Sequence, residues 1–234
     1  TYNLIKLAVY ESKQNFGFNA LIGPVVKLWH LGFKGAHVPT DAQIKAKMSL
    51  TNPDDVVLDD ANQTVFLTKK GMELDLGGIA KGYIADRIRD LWRAYDVRAG
   101  IINLGGNVLF VNSSPKRASG EWILGVQDPK KKRGDNLTTA TVHECSAVTS
   151  GTYERFLEIN GKKYHHIIDP KTGYPVQTHV AGVTLFTRDS VQAEIECKRL
   201  FFAGGSIPGW KNDKAGRYGA IFVYDDDSIE RIGV

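Results

Sequence analysis

The chain has 234 residues, 42% of them apolar and 24% charged, and its formal net charge is +4. This length supports one large domain or two small ones with a substantial core, and the composition is ordinary for a soluble globular protein. No apolar run approaches the roughly 18 residues of a membrane span, and the aromatic residues do not alternate with a basic stripe, which argues against nucleic-acid binding.

The amino-terminal part of the chain is predicted to be mainly helical. Helical patterns cover three segments there: residues 3–14, 23–29 and 41–49. Thr40 suits the N-cap of the third helix, because its hydroxyl can accept a hydrogen bond from a backbone N–H of the first turn. Two short β-like runs over residues 56–58 and 64–67 then predict two strands around a polar turn.

The stretch around which the chain is organised covers residues 74–86 and reads Leu-Asp-Leu-Gly-Gly-Ile-Ala-Lys-Gly-Tyr-Ile-Ala-Asp. The apolar run over residues 72–76 predicts a strand, Gly77 and Gly78 predict a turn, and the following residues predict a helix. Apolar residues recur in the helical part at i, i+4, i+7 and i+8: Ile84, Ile88, Leu91 and Trp92.

A strand that turns through glycines into a helix exposes backbone N–H groups and the positive end of the helix dipole. Such a junction suits a phosphate or another anion. Asp75 before the turn and Lys81 after it add one carboxylate and one ammonium group. Because most junctions of this kind bind nothing, the stretch by itself only suggests an anion site.

Short strands dominate the rest of the chain. Strand patterns cover residues 101–111, 122–126, 141–149, 156–159, 163–168, 180–186, 221–224 and 229–232, and a helical pattern covers 191–203. Gly105 and Gly106 indicate a bulge or the close approach of another backbone or a ligand. Residues 128–139 are predicted to form a polar loop, and Asn160-Gly161 a hairpin turn. Since no regular βαβ repeat occurs, the sequence predicts the α+β class, with mixed or antiparallel sheets flanked by helices.

The two cysteines, Cys145 and Cys197, have no Cys-x-x-Cys spacing. They therefore do not form a zinc-binding pattern, and two cysteines are too few for a disulfide scaffold. We expect two buried thiols rather than a single bridge.

A second informative stretch covers residues 164–175 and reads Tyr-His-His-Ile-Ile-Asp-Pro-Lys-Thr-Gly-Tyr-Pro. His165 and His166 are adjacent on a predicted strand and therefore point to opposite faces, so at most one of them lines a given site. Residues 169–173 also suit a simple turn, and a lone histidine more often has a structural role. The density of His, Asp, Lys and Thr beside glycine turns favours a functional site, because loops on a rigid scaffold often carry function.

Glu194 and Lys198 are four residues apart in a predicted helix and share one of its faces. One interpretation is an exposed ion pair that contributes roughly a few tenths of a kcal/mol. The other is that Glu194 is an oxygen ligand for Mg²⁺, which prefers carboxylates, carbonyls and phosphate oxygens. The spacing alone leaves both interpretations open.

Four motifs follow one another along the chain: Leu-Asp-Leu-Gly-Gly-Ile-Ala-Lys-Gly-Tyr at 74–83, Asn-Leu-Gly-Gly-Asn at 103–107, Thr-Ser-Gly-x-Tyr-Glu-Arg at 149–155, and His-Ile-Ile-Asp-Pro-Lys-Thr-Gly-Tyr-Pro at 166–175. Together they resemble the ApbE family, the FAD:protein FMN transferases once described as thiamine-biosynthesis lipoproteins. The resemblance spans residues 16–204 and implies an ApbE-like fold, with a single FAD-binding catalytic domain over residues 1–234. We expect the amino-terminal end of the family pattern, with its lipobox, to be trimmed from this sequence.

The activity that the resemblance implies is a Mg²⁺-dependent transfer of the FMN phosphoryl group of FAD onto a Thr hydroxyl of an acceptor flavoprotein, with release of AMP. In-line displacement at a pyrophosphate needs a cation that neutralises the phosphoryl oxygens and a base near the attacking hydroxyl. The implied location is extracytoplasmic, as a lipid-anchored lipoprotein at the outer face of the bacterial cytoplasmic membrane.

The resemblance also implies roles for individual residues. By motif position, FAD contacts fall on Trp29, Asp75, Lys81 and Ile167. His166 is the candidate acid/base or phosphate-orienting group. The metal contacts fall on the backbone carbonyl of Gly78 and on Glu194.

One departure from the family pattern concerns the metal. The family motif Ala-Asp-x-x-x-Thr aligns with Ala193, Glu194 and Lys198. Glu can replace Asp as a ligand, but Lys cannot replace Thr, because an ammonium group has no lone pair to donate. Lys198 either contacts the phosphate directly, where the metal's charge would be, or marks a weakened or altered metal site. A smaller departure is Thr152, where many members carry Asp.

Two other functions fit the same motifs. A non-catalytic FAD-binding or carrier protein would hold FAD without cleaving it. An FAD pyrophosphatase would use water as the acceptor and give FMN and AMP.

Overall fold

Five α-helices, two short 3₁₀ helices (Pro53–Asp55 and Trp210–Asn212) and twelve β-strands form the secondary structure of residues 1–212 and 216–234, which are the residues that the computed structural model describes. The helices are α1 Tyr2–Lys13, α2 Gly23–Trp29, α3 Asp41–Met48, α4 Ala80–Ala94 and α5 Ser190–Ala203. The strands are β1 Val56–Asp59, β2 Thr64–Leu67, β3 Gly100–Asn103, β4 Asn107–Val111, β5 Trp122–Gln127, β6 Asn136–Val142, β7 Ser146–Gly151, β8 Phe156–Ile159, β9 Lys162–His165, β10 Val180–Thr187, β11 Arg217–Tyr224 and β12 Ile229–Ile232. All five predicted helices are therefore confirmed.

The chain divides into two compact units. The first contains Thr1–Gly78 and Thr152–Gln177, and the second contains Ile79–Gly151 and Thr178–Val234. Compact units within one chain need not be separate domains, so the expectation of a single domain over residues 1–234 stays a prediction.

The first unit combines helices α1–α3 with two antiparallel hairpins, β1–β2 and β8–β9. Its apolar core contains Val25, Trp29, Leu31, Ile44 and Ile168. The Thr40 cap is confirmed as a full capping box, because Gln43 N donates to Thr40 Oγ1 at 3.3 Å and Thr40 N donates to Gln43 Oε1 at 2.9 Å. The predicted turn at Asn160-Gly161 is also confirmed. Both residues have positive φ, 51° and 74°, as a two-residue hairpin turn requires.

The strand predicted over residues 72–76 is wrong, because this segment has no regular secondary structure. The Asp75 amide donates to the carbonyl of Ala20 at 2.7 Å, while the Asp75 carboxylate turns back to accept from Gly77 N at 2.8 Å. A short acidic side chain that bonds its own backbone two residues on favours a turn over a strand ladder.

The second unit is built on an antiparallel sheet of six strands in the order β12-β11-β10-β7-β4-β3. Strand β10 lies inside this sheet, and all eight of its residues are buried. Side chains alternate between the two faces: Leu109 and Val111 pack with α4, whereas Phe110 packs with the β5–β6 hairpin. Helix α5 packs against β7 and β10. The predicted α+β class with antiparallel sheets and flanking helices is confirmed.

Three predicted strand boundaries in the second unit need correction. Residues 101–111 form the hairpin β3–β4 rather than one bulged strand, because Gly105 and Gly106 adopt φ values of 67° and 71° and turn the chain. The predicted approach of another backbone does occur, since Gly106 O accepts from Thr149 N at 2.8 Å. The loop predicted over 128–139 ends at Asn136, where β6 begins and pairs with β5. The segment 141–149 is divided between β6 and β7.

The buried face of α4 only partly coincides with its apolar repeat. Ile84 and Leu91 are 47% and 55% exposed. Ile88 and Trp92 are half-buried beside the cluster that contains Ile102. The fully buried positions of the helix are Gly82, Ala85, Asp86 and Arg89. Apolar periodicity predicted the helix correctly, but only Ile88 and Trp92 of its four apolar residues pack against the core.

Both cysteines are free and buried, which confirms the expectation of two buried thiols. Within residues 1–212 and 216–234, none of the helices combines the length and the apolar character that a membrane span requires.

Candidate functional site

A buried carboxylate between two ammonium groups is the main charged cluster of the predicted site residues. Glu194 lies on α5 and is 2% exposed. Its Oε1 is 3.0 Å from the Nζ of Lys81, in the first turn of α4, and its Oε2 is 3.4 Å from the Nζ of Lys198, one turn further along α5. We call these three residues and Asn107 the Glu194 cluster.

Asn107, at the start of β4, completes the contacts of the carboxylate. Its Nδ2 donates to Glu194 Oε1 at 3.0 Å, and its Oδ1 accepts from the hydroxyl of Ser190, 2.8 Å away. The second contact fixes the orientation of the amide, because an oxygen facing the hydroxyl leaves the NH₂ group facing the carboxylate. Asn107 therefore holds Glu194 in place from the sheet.

The pKa of Glu194 reflects opposing influences. Burial raises it, whereas the nearby ammonium groups of Lys198 and Lys81 and the hydrogen bonds from Asn107 and Lys81 lower it. The net result is a pKa below the ordinary value, so the carboxylate is ionised at neutral pH. With two ammonium groups around one carboxylate, the Glu194 cluster carries one surplus positive charge.

Helices α4 and α5 can approach closely because of Gly82. A Cβ atom at this position would lie 2.4 Å from the carbonyl oxygen of Ser190, so only glycine permits the contact. Asp86, one turn later, accepts from the amides of Ser190 and Val191 at 2.8 and 2.9 Å and so caps α5. Burial raises the pKa of Asp86, although these amides and the guanidinium of Arg89 oppose the shift. This contact between the helices positions Lys81 beside Glu194.

The described residues offer a poor ligand set for a metal. Within residues 1–212 and 216–234, no group of three or more His, Cys, Asp or Glu side chains is arranged to hold an ion. Both oxygens of Glu194 already accept from cationic or amide donors. Lys198 Nζ also lies 3.2 Å from the backbone oxygen of Glu194. The ammonium group of Lys198 therefore lies beside Oε2, where a metal ligand would be needed.

In the first unit, Trp29 lies in the core rather than at the surface. Its ring is fully buried, packs against Tyr164 and Tyr174 at centroid distances of 5.6 and 5.7 Å, and donates from Nε1 to the carbonyl of Gly173 at 2.8 Å. These contacts hold the turn over residues 169–173 against α2. A contact of Trp29 with FAD stays a prediction.

The two histidines of the stretch over residues 164–175 differ in their surroundings. The strand predicted over 163–168 is shorter than expected, because β9 ends at His165. His165 is buried, and its two ring nitrogens contact the carbonyl of Val176 and the amide of Ile167 at 2.9 and 3.3 Å. His166 is half-buried just beyond the strand, with its Nδ1 3.2 Å from the carbonyl of Arg155. Because a carbonyl oxygen can only accept, Nδ1 is the donor in this contact, which orients the His166 ring.

The glycine turn belongs to the first unit up to Gly78, and α4 begins the second unit. Asp75 is half-buried, and its carboxylate accepts from Gly77 N as described above. Ile79, which precedes the first residue of α4, offers no side-chain cap. Roles of Asp75 toward FAD and of Gly78 toward a metal stay predictions, as does the role of Ile167.

Residues 1–222 match the sequence model of the ApbE family. The chain belongs to the ApbE family. A relative from Klebsiella pneumoniae (strain 342), named FAD:protein FMN transferase, is 45% identical over 204 residues, which cover 87% of this chain and 62% of the relative. Another of that name, from Treponema pallidum (strain Nichols), is 37% identical over 215 residues, which cover 87% of this chain and 59% of the relative.

Solved structures of ApbE proteins share the fold. The crystal structure of the ApbE protein from Thermotoga maritima matches with a TM-score of 0.86 and 30% identity, covering 99% of this chain and 75% of that protein. The flavinyl transferase ApbE of Pseudomonas stutzeri matches with a TM-score of 0.76 and 23% identity, covering 98% of this chain and 71% of that protein. The predicted ApbE-like fold is confirmed. The chain spans about three fifths of the length of the two relatives above.

Among the predicted site residues of this ApbE chain, the structure brings together Lys81, Glu194 and Lys198 in the second unit. Sequence reasoning did not assign roles to Asn107 or Gly82. Both lie in motifs that carry the family resemblance, and the motif position was the only available signal, because their contacts are with residues far along the chain.

Proposed function

We propose that this chain is the FAD-binding, catalytic part of a flavin transferase that moves the FMN phosphoryl group of FAD onto a Thr hydroxyl of an acceptor flavoprotein. The observation that carries the proposal is family membership, with close relatives named FAD:protein FMN transferase. The Glu194 cluster supports it, because a fixed surplus of positive charge suits a pyrophosphate substrate.

The proposed reaction is a displacement at the FMN phosphorus of FAD. The Thr Oγ forms the new bond to this phosphorus, and the bond from the phosphorus to the bridging oxygen breaks. The bridging oxygen leaves with AMP, which takes the bonding electron pair, and the Thr proton passes to a base. No oxidant or reductant is consumed.

We assign the base role to His166 by motif position, and the contact of its Nδ1 with the carbonyl of Arg155 orients the ring. Lys81 and Lys198 are assigned to the pyrophosphate oxygens, where their ammonium groups would offset the charge that develops on AMP. Asp75 and Ile167 are assigned to FAD by motif position. Trp29 is assigned to the FAD site indirectly, because it supports the turn over residues 169–173 in the first unit.

The magnesium ion that the resemblance implies would be held by Glu194 and the carbonyl of Gly78. The donors around Glu194 do not fit this ion. Mg²⁺ requires oxygen ligands at about 2.0–2.1 Å in near-octahedral geometry, whereas two ammonium groups and an amide NH₂ surround this carboxylate. We therefore derive no step through a metal, and Mg²⁺ dependence stays a prediction from the resemblance.

The decisive experiment uses FAD and a Thr-bearing acceptor flavoprotein with the intact chain. We expect flavin fluorescence on the acceptor that survives denaturing electrophoresis, with one AMP released per flavin attached. Absence of covalent flavin, with FAD bound and an acceptor that a related transferase modifies, would refute the proposal.

The same measurement separates the two alternatives. A carrier protein would bind FAD without producing AMP or FMN. A pyrophosphatase would release equal amounts of AMP and FMN in the absence of any acceptor.

The role of His166 is tested with His166→Asn. Asn retains a donor near the Nδ1 position, which can keep the contact with Arg155, but it lacks Nε2. We expect the transfer rate to fall by about 10²–10⁴-fold with unchanged FAD affinity. His37→Asn is the matched control, because His37 is exposed in the same unit and has a similar Nδ1 contact with Gly35 O at 3.2 Å. Equal rates for the two variants would exclude His166 as the base.

We also propose that the full-length protein is extracytoplasmic and lipid-anchored at the outer face of the cytoplasmic membrane. The support is the family resemblance to lipoproteins. Fractionation of cells that express the full-length gene, combined with fatty-acid labelling, tests this location. Recovery of unlabelled protein in the cytoplasmic fraction would contradict it.

A further inference from the structure

The Glu194 cluster holds more positive charge than its carboxylate needs. One ammonium group would neutralise a buried Glu194, yet Lys81 and Lys198 both contact it, at 3.0 and 3.4 Å. Lys81 remains 39% exposed and Lys198 17% exposed. The cluster is therefore a fixed cationic group that still has access to solvent.

We propose that Lys81 and Lys198 supply, as part of the chain, the positive charge that a divalent cation supplies in phosphoryl transfer, so that FAD is bound and used without a metal. The proposal rests on the proposed function, because it concerns the pyrophosphate of the same substrate. It extends that function by naming the groups that recognise the pyrophosphate and by removing the metal from the reaction.

The space and charge around Glu194 disfavour a bound dication. Any Mg²⁺ bound at about 2.1 Å from Oε1 would lie no farther than about 5 Å from the Lys81 ammonium, since that nitrogen is 3.0 Å from the same oxygen. The Oε2 side has the Lys198 ammonium at 3.4 Å. A dication at either oxygen would be repelled by an ammonium group that has no lone pair to offer it.

Both ammonium groups are held in place by contacts within the second unit. Lys198 Nζ has contacts to both the side chain and the backbone oxygen of Glu194, at 3.4 and 3.2 Å. The close contact between α4 and α5 at Gly82 places the backbone of Lys81 beside Glu194, whose Oε1 holds the Lys81 ammonium at 3.0 Å, and Glu194 itself is held by Asn107. Charges held in place before the substrate arrives need no reorganisation, which is what stabilisation of a developing phosphate charge requires.

The main test compares FAD binding by the unmodified chain in excess EDTA and in millimolar MgCl₂, followed by quenching of flavin fluorescence. We expect dissociation constants within about twofold of each other. AMP release with the acceptor protein should likewise persist in EDTA. Binding that weakens by about tenfold or more in EDTA and returns with Mg²⁺ would overturn this inference while leaving the flavin transferase function intact. Failure to bind FAD under both conditions would instead refute the proposed function, and this inference with it.

A variant tests the assignment to Lys198 directly. Lys198→Thr removes the ammonium group and adds an oxygen ligand, so FAD affinity in EDTA should fall roughly tenfold or more, and Mg²⁺ should restore it. Lys45→Thr is the control, because it removes one exposed helical lysine in α3 and should leave the affinity unchanged in both buffers. Equal affinity of Lys198→Thr and the unmodified chain in EDTA would overturn the assignment.

A readout that needs no FAD completes the test. Electron paramagnetic resonance of Mn²⁺, used as a probe for a divalent-cation site, should detect no bound ion in the unmodified chain and one bound ion in Lys198→Thr. Bound Mn²⁺ in the unmodified chain at low micromolar concentration would contradict the inference. If Lys198→Thr does not fold, Lys198→Arg replaces it: this variant retains the charge and should bind FAD in EDTA, and dependence on Mg²⁺ would count against the inference.

Discussion

Replacing Glu194 by Gln tests whether the Glu194 cluster stabilises the second unit. The change removes the charge that Lys81 and Lys198 contact and leaves a neutral amide of nearly the same shape. The Gln oxygen can still accept from Asn107, but its NH₂ group cannot accept from an ammonium. Two cations then lie side by side without a counter-charge.

The magnitude follows from the burial of each partner. Removing one member of a fully buried ion pair typically costs about 3–5 kcal/mol. Lys81 is 39% exposed and regains water readily, whereas Lys198 at 17% exposed regains less. We therefore expect Glu194→Gln to lower the free energy of unfolding of the second unit by about 2–4 kcal/mol at pH 7.

The assay is read from the second unit, which contains Glu194 and α5. Hydrogen exchange of peptides from α5, measured across a urea series, reports on the second unit alone. Asp227→Asn is the matched control, since it makes the same carboxylate-to-amide change in an exposed ion pair, that of Lys130 Nζ and Asp227 Oδ2 at 2.7 Å. This pair is closer than the one between Lys198 and Glu194, yet its loss should not be measurable, because solvent screens it. If Glu194→Gln lowers the free energy of unfolding no more than Asp227→Asn does, burial rather than distance does not decide how much an ion pair stabilises the fold.

Two substitutions test the surroundings of the cluster, and thiol labelling tests the burial of the two cysteines. Gly82→Ala should destabilise the second unit in urea unfolding by about 1–3 kcal/mol, because the new Cβ would lie 2.4 Å from the carbonyl oxygen of Ser190. This clash should outweigh the helix preference of Ala. Equal or higher stability of the variant would disprove the close helix contact. Asn107→Ala should lower the free energy of unfolding by about 2–4 kcal/mol, because Glu194 loses a hydrogen bond and the hydroxyl of Ser190 loses its acceptor. In the double variant with Ser190→Ala, the total loss should be smaller than the sum of the two single losses. Full additivity would rule out coupling between these residues. Burial raises the pKa of Cys145 to about 12 and that of Cys197 to about 11, so the reactive thiolate is scarce at pH 8 and appears only as the pH approaches these values. Mass spectrometry after iodoacetamide treatment at pH 8 should therefore find neither thiol labelled in the folded chain and both labelled in urea, whereas rapid labelling without urea would contradict their burial.

Local features of the fold could be predicted because their causes lie within a few residues. The capping box of Thr40 needs only Gln43, three residues on, and the Asn160-Gly161 turn needs only residues that tolerate positive φ. The false strand over 72–76 shows where such reasoning fails. Its apolar residues suggested a strand, but the carboxylate of Asp75 bonds to the Gly77 amide and forms a turn.

The face of α4 could not be predicted, because it depends on a partner far along the chain. Hydrophobic periodicity favours burial of Ile84 and Leu91, but α5 packs where Gly82 permits close approach and Asp86 caps its first turn. The i, i+4 spacing of Glu194 and Lys198 correctly indicated a shared helix face. Of the two interpretations left open, the exposed ion pair is wrong, because Glu194 is buried. Nothing in the local sequence indicates that Lys81, more than a hundred residues earlier, meets this carboxylate.

The structure changes what the glycine-rich stretch over residues 74–86 contributes. Its second half, which begins with Lys81, docks α4 against α5. Ser190, Glu194 and Lys198 are spaced four residues apart and therefore lie on one stripe of α5. One end of this stripe sets the distance between the helices, and the other end carries the charged groups. At the amino-terminal end, Gly82 and Asp86 fix the distance between the helices through Ser190. At the other end, the space that remains is filled by ammonium groups rather than by an oxygen ligand, so the helix contact itself determines where the positive charge lies.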